Sequence, residues 1–394
     1  MRHSSPEYRV SPLGHNRYLM TALLSSVLLV AGCSSSPKPV EQKPAKLPTL
    51  TQPSQVLSRV WDAQIGGANK ADPLRLQMAT VDGVIVAAGR DGELAAWSVA
   101  GQRLWQRDLK QSISSGVSAL SDVAVVTTRE GQVVAFDPKT GSTRWIAQTA
   151  ASVLSPALIS EQRVVLNTND GAIVGLDLVT GKQIWTFNIP VPSLSMRGTA
   201  APVLFDQNTV IVAGATGRIY GLDLRTGIPR WERRVAVSAG RTDIQRLIDI
   251  DGDPLVSGRQ LYVVSYQGQV VAVDLDSQRV RWDADTSSLR SLTTGLGNIY
   301  AATADGYVQA YDERDGQLLW EVKDLAHRQL SNPVVFGRHL VVGDYQGYLH
   351  IIEQTEGKIV GRVRTNGAVR QLSVIDDQLL VNSATGALSI WRAS

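Results

Sequence analysis

The sequence predicts an all-β chain folded as a closed ring of repeated four-stranded sheets. Three observations carry that expectation. A unit of roughly forty residues recurs along the chain, its tryptophans return at one fixed position, and turn residues punctuate every copy while helix signals are scarce. The unit reads GELAAWSVAGQRLW at 92–105, GQVVAFDPKTGSTRW at 131–145 and GAIVGLDLVTGKQIW at 171–185. It returns as GRIYGLDLRTGIPRW at 217–231, GQVVAVDLDSQRVRW at 268–282 and GYVQAYDERDGQLLW at 306–320. A decayed copy, GYLHIIEQTEGKIVG, fills 347–361, and a truncated one, GALSIW, fills 386–391. Units of this length built from short strands are the blades of a propeller. Eight copies define an eight-bladed β-propeller.

Each element of the unit has a local reason. A β-rich run (84–88, 123–127, 164–168, 261–265, 340–343) leads to a turn pair such as Asp91-Gly92, Asp170-Gly171 or Asp305-Gly306, where glycine supplies the positive φ of a tight hairpin. The following strand alternates with period two. Asp137, Asp177, Asp223, Asp274 and Asp312 then stand where a carboxylate caps a turn, with Gly141, Gly181, Gly227 and Gly316 at its left-handed position. One such acid per copy marks architecture, not catalysis. Trp61, Trp105, Trp145, Trp185, Trp231, Trp282 and Trp320 close the units, and each indole there buries about 150–250 Å² against a neighbour. Trp97 and Trp391 occupy the apolar slot before the acid position. The last copy stops before its fourth strand, and a spare strand at 56–63, containing Trp61, stands at the other end. That N-terminal strand is expected to complete the last blade and remove two exposed sheet edges.

What precedes the repeats is an address. Arg2, Arg9 and Arg17 are followed by an apolar run over 18–30 and by Leu29-Val30-Ala31-Gly32-Cys33. A charged segment, a short apolar stretch and a small-residue cleavage site make a secretory signal, too short to span a bilayer. Residues 34–53 hold five prolines and read as a semi-extended tether. The expected organisation is therefore a removed signal at 1–32, Cys33 with a flexible tether at 33–54, and the propeller at 55–394.

Composition removes several classes of function. The formal charge is +3, and three of the basic residues lie in the signal segment, so no phosphate-tracking surface and no nucleic-acid partner are indicated. Cys33 is the sole cysteine, which excludes an internal disulfide and a cysteine-based zinc site. The histidines of the repeat region, His327, His339 and His350, lack ligand spacing. No nucleophile elbow, HExxH or phosphate loop is present. No catalytic, cofactor or metal residues are expected.

Departures from the repeat are where a site is expected. The Trp-to-Trp spacings run 44, 40, 40, 46, 51 and 38 residues. The two swollen units gain their extra residues at 188–202 (NIPVPSLSMRGTAAP) and 236–254 (AVSAGRTDIQRLIDIDGDP), at the same point of neighbouring copies. Insertions at corresponding positions emerge on one face. Leu194, Met196 and Arg197 in the first, with Arg241, Arg246, Asp249 and Asp251 in the second, suit a protein interface with an apolar anchor and a charged rim. The triplet Asp249-x-Asp251-x-Asp253 also invites a calcium reading, but it lacks the glycine and distant glutamate of the EF-hand loop.

The Asp-x-x-Thr-Gly-x-x-x-Trp units resemble the blades of pyrroloquinoline-quinone dehydrogenases, many of which carry a vicinal cysteine pair that this chain does not have. The sequence more closely resembles the BamB family of outer-membrane protein assembly factors, in its Leu-Val-Ala-Gly-Cys lipobox, its tether and all eight blades. The likeness is most specific over 192–202, 242–254, 324–333 and 343–350. It implies lipidation of Cys33, with Ser34 favouring the outer membrane of a Gram-negative bacterium, and residence on its periplasmic side. It further implies a noncatalytic adaptor in the β-barrel assembly (BAM) complex that binds the POTRA region of BamA and assists insertion of unfolded outer-membrane proteins. The family's BamA contacts fall here on Leu194, Met196, Arg197, Asp249 and Asp251. Met196 stands where the pattern has Leu, a swap of similar volume. The alternative class, a periplasmic quinoprotein-like enzyme or ligand-binding propeller using the central channel, stays open at this point.

Overall fold

A computed structural model describes residues 42–50, 57–67, 76–192, 200–236 and 248–393, all but Gln42 within the compact unit Lys43–Ser394. Strands β1 to β32 form eight antiparallel four-stranded sheets, and no helix occurs among the described residues. Blade 1 shows the plan: β2 (Ala79–Val81), β3 (Val84–Ala88), β4 (Glu93–Ser98) and β5 (Arg103–Asp108) run from the axis outward. The innermost strand is short because the ring narrows toward its axis. β3 is buried throughout and β5 is largely exposed, since middle strands are covered by blades on both sides. Apolar clusters accordingly lie between blades: Val86, Leu94 and Ala96 of blade 1 pack with Val126, Val134 and Phe136 of blade 2. The outer edges are blunted by charge, as in β17 (Pro229–Arg234), whose four last residues include Glu232, Arg233 and Arg234.

Blade 8 is closed as the sequence predicts. It is built from β30 (Val369–Ile375), β31 (Gln378–Ser383), β32 (Ala387–Ala393) and, outermost, β1 (Leu57–Gln64). β1 and β32 run antiparallel from Leu57↔Ala393 to Gln64↔Ala387. The two ends of the ring thus share one sheet.

Between blades the repeat tryptophans act as docking groups. Trp61 on β1 donates its indole N–H to the Val99 carbonyl at 3.0 Å, Trp105 to Pro138 at 2.8 Å and Trp145 to Leu178 at 2.8 Å. Trp185 donates to Leu224, Trp282 to Glu313 and Trp320 to Gln354, each at 3.0 Å. Every acceptor is the residue just after the acid position of the next blade. The acid itself caps the same turn: Asp177 Oδ1 accepts the Thr180 N–H at 2.9 Å and the Thr180 hydroxyl at 2.7 Å. Glycine is demanded twice over at this turn. Gly227 has φ +72°, and a Cβ there would lie 2.5 Å from the Trp185 ring.

Two seams differ, and both differences have a cause. In blade 5 the glycine position holds Gln278 at φ +57°. The facing Trp231 stands outside the indole pattern among the described residues, and Arg233 Nε instead grips the Gln278 carbonyl at 2.7 Å. In blade 7, β29 (Ile359–Arg364) carries Gly361 where tryptophan is due. Blade 8 has no turn between its third and fourth strands for an indole to dock on, because β32 and β1 come from opposite ends of the repeat region. Trp391 and Leu57 fill that seam instead, against Phe336 and Val360.

Replacing Trp185 by Ala is expected to cost about 3–5 kcal/mol through lost burial and an unfilled seam. Trp231→Ala should cost roughly 1 kcal/mol less, one hydrogen bond fewer. Urea midpoints of the two variants compare these directly, and equal losses would show that the indole bond does not matter to the seam.

Candidate functional site

Both enlarged connections join the outer strand of one blade to the inner strand of the next. The first follows β13 (Gln183–Asn188) and leads to β14 (Val203–Asp206); the second follows β17 and leads to β18 (Leu255–Ser257). Each leaves beside a hairpin turn of its own blade. Ile189 N–H donates to the Gly171 carbonyl at 2.9 Å, and Val235 and Ala236 donate to that of Gly217 at 2.9 and 3.1 Å. The inserts therefore open on one face of the ring. Leu194, Met196 and Arg197, like Arg241 and Arg246, lie outside the described residues.

Asp249 and Asp251 do not form the solvated rim expected of them. They are 1% and 5% exposed, and Ile248, Ile250 and Gly252 beside them are buried too. The stretch is wedged between a hairpin turn of blade 5 and the connection from blade 5 to blade 6: Tyr266 N–H donates to the Asp249 carbonyl at 2.9 Å, and a Cβ on Gly252 would meet the Arg290 carbonyl at 2.7 Å. Charge alone marked these acids as surface groups, whereas the wedge between a hairpin turn and the next connection covers them. They stand at the foot of the second insert, where it leads into β18.

Asp253, weighed from sequence only as a calcium ligand, ties the face together. Its Oδ1 accepts the Ala201 N–H at 2.8 Å, at the exit of the first insert. Its Oδ2 accepts the Ser291 hydroxyl at 3.0 Å, in the connection from blade 5 to blade 6, and its own N–H donates to Ser291 Oγ at 3.1 Å. One side chain thus links three successive connections. The chain of bonds continues, since Arg290 Nε donates to the Leu330 carbonyl at 2.9 Å in the connection from blade 6 to blade 7. Asn167 likewise donates to the Ala200 carbonyl at 3.0 Å. Among the described residues no three His, Cys, Asp or Glu converge as a metal-binding group.

At blades 6 and 7 the same face holds a buried charged cluster that the spacing of repeats did not reveal. Asp344 is fully buried. Its Oδ2 receives Arg328 Nε at 2.7 Å and His350 Nε2 at 3.1 Å, and its Oδ1 receives the N–H groups of Gln346 and Tyr348, both at 2.9 Å. Arg362 Nε reaches His350 Nδ1 at 3.3 Å, so the imidazole accepts on one nitrogen and donates on the other, as a neutral ring does. Burial works to raise Asp344, yet the bonds from His350, Tyr348 and Arg328 outweigh it and hold the carboxyl below its ordinary range. For His350 burial is the larger influence and keeps the imidazole below its usual 6.5 despite the adjacent carboxylate. The only sequence signal for this cluster was that 324–333 and 343–350 are among the stretches where the family likeness is most specific.

Eight blades closed by an N-terminal strand, with two enlarged and hydrogen-bonded connections on one face, define a propeller built as a binding scaffold. A family model described as outer membrane protein assembly factor BamB matches residues 90–320 and 304–394. The chain belongs to the BamB family of outer-membrane protein assembly factors. BamB of Pseudomonas aeruginosa is 40% identical over 347 residues, spanning 88% of this chain and 90% of that one. The crystal structure of BamB from Moraxella catarrhalis is similar with a TM-score of 0.80 at 37% identity, over 86% of this chain and 100% of that chain. Quinohemoprotein alcohol dehydrogenase from Comamonas testosteroni shares the fold alone, with a TM-score of 0.69 at 12% identity, over 85% of this chain and 76% of that one. Among the described residues, the tryptophans and repeat acids do not fit a quinone with its calcium. The repeat tryptophans are committed to seams, Trp97 is buried and stacked on Trp61, Trp391 fills the last seam, and the acids of the repeat cap turns.

The histidine sets a pH dependence. Above about pH 6.5 both folded and unfolded chains hold His350 neutral, and its full contribution to stability is present. As pH falls through that value the unfolded chain takes up a proton that the folded chain resists, so stability is lost, at most about 1.4 kcal/mol per pH unit. His350→Gln should flatten the fall between about pH 6.5 and 5. Urea midpoints at three pH values test this, and an unchanged slope would exclude His350 as its source.

Proposed function

We propose that the chain is a noncatalytic adaptor lipoprotein of the outer-membrane β-barrel assembly complex. It is held on the periplasmic face of a Gram-negative outer membrane through lipid on Cys33. Among the described residues no helix is long and apolar enough to cross a membrane, and two or more acyl chains on Cys33 would anchor the chain firmly. Its partner is the POTRA region of BamA, and with the rest of the complex it assists the insertion of unfolded outer-membrane proteins. The observation that carries this reading is the joining of the two enlarged connections on one face by Asp253. A connection anchored at both feet presents its middle to a partner at little ordering cost. Leu194 and Met196 supply the apolar anchor and Arg197 the charged contact. Asp249 and Asp251, buried at the foot of the second insert, shape it.

Arg197→Ala is expected to lower co-purification of BamA from solubilised outer membrane by roughly tenfold, equivalent to about 1.4 kcal/mol, with unchanged circular dichroism. The isosteric Asp249→Asn should weaken capture as well, by loosening the insert. Wild-type yield from both variants would overturn the assignment of this face. Addition of pyrroloquinoline quinone with calcium is expected to leave the absorbance of the purified chain unchanged; stoichiometric uptake would overturn the noncatalytic reading.

A further inference from the structure

Segment 43–50, KPAKLPTL, was expected to be part of a flexible tether, yet it lies in extended form against blades 6 and 7. Ala45 N–H donates to the Ala326 carbonyl at 2.9 Å. Arg328 Nη1 donates to the Ala45 carbonyl at 3.0 Å and Arg362 Nη1 to the Pro48 carbonyl at 3.1 Å. Leu47 and Leu50 pack on the apolar cluster of Tyr300, Val308, Val322 and Leu325. Lys43, Lys46 and Thr49 are exposed while Ala45, Leu47, Pro48 and Leu50 are partly covered, the period of three that belongs to a polyproline helix. Pro44 and Pro48 suit such a strap, having no N–H to leave unbonded. Both guanidiniums that hold it belong to the cluster around Asp344 and His350. Arg328 is 2% exposed and pinned by Asp344, so it meets the strap with little rotamer freedom left to lose.

Ala326 lies in the connection from blade 6 to blade 7, the counterpart of the two enlarged connections. The strap and the inserts consequently share a face of the ring. We infer that the Asp344–Arg328–His350–Arg362 cluster is a receptor for the chain's own N-terminal strap, and that this docking turns the insert-bearing face toward the bilayer. The inference rests on the lipid anchor at Cys33. Between Cys33 and Ala45 the backbone reaches at most about 40 Å, whereas a chain first held at Leu57 reaches about 80 Å. A body of roughly 340 residues is about 50 Å across. The longer leash lets the ring turn over at the membrane; the shorter one does not. The partner gripped by the inserts then meets the adaptor from the membrane side.

The test uses the lipidated full chain on phosphatidylethanolamine–phosphatidylglycerol vesicles carrying a rhodamine lipid. A donor dye is placed on Asn366→Cys, on the strap face of blade 8, or on Asp377→Cys, on the opposite face of the same blade; both positions are exposed. Energy transfer from position 366 is expected to exceed that from position 377 by at least about twofold, given the short leash. Replacing Leu47 and Leu50 by Ser, which leaves the buried cluster intact, should erase the difference. So should a Gly/Ser extension of roughly 20 residues between Cys33 and Lys43, which raises the maximum reach by about 70 Å. Equal transfer from both faces while the chain floats with the vesicles would overturn the orientation. Failure to float would overturn the anchor at Cys33 and the orientation with it. In either case, an Ala45 amide unprotected from hydrogen exchange would overturn the dock itself.

Discussion

An indole that reaches out of one blade and bonds the turn of the next is the contact on which the ring depends. Antiparallel strands hold each blade together, but no backbone ladder crosses from blade to blade. Apart from single backbone bonds such as that from the Val117 N–H to the Gln77 carbonyl, seams are closed by side chains. Trp145 and Trp185 do this with a large apolar face, a donor aimed at a carbonyl, and a ring seated on a glycine that has no side chain to keep it away. The capping aspartate preshapes the turn that receives the indole. Tryptophan, aspartate and glycine are thus one device divided between two blades, which explains why all three recur together.

Where the device is missing, the chain has a reason. The seam after blade 7 faces the place where the ring's first and last strands, β1 and β32, meet, and with no turn to dock on, Gly361 takes the tryptophan position. Leu57 and Trp391, one from each end of the ring, pack there in its stead. At the seam between blades 4 and 5 Gln278 replaces glycine, and Arg233 bonds its carbonyl. That seam is also bridged by the longer of the two inserts.

The face carrying the inserts is held by a different kind of bond. Successive connections are stitched by side chains, Asp253 to Ala201 and Ser291 and Arg290 to Leu330, while Asn167 at the end of a blade 3 strand reaches Ala200 and Arg328 reaches the strap. Buried polar groups of this sort are costly unless every one is bonded. Asp344 meets that condition with four donors. Such stitching keeps long connections in register on a ring whose seams specify only packing.

The eight blades, the closing N-terminal strand, the capping acids and the two enlarged connections were all legible in the sequence, because a repeat states its own period and each departure from it stands out. Position in a repeat says which element a residue occupies. It does not say what lies above that element, and burial is decided by what lies above. Asp249 and Asp251 therefore looked like surface charges until the wedging of their stretch between a hairpin turn and the next connection covered them. For the same reason 43–50 passed for a free tether. Its receptor is assembled from Arg328, Asp344, His350 and Arg362, which come from a connection, a turn and two strands and meet only when the connection from blade 6 folds onto blade 7.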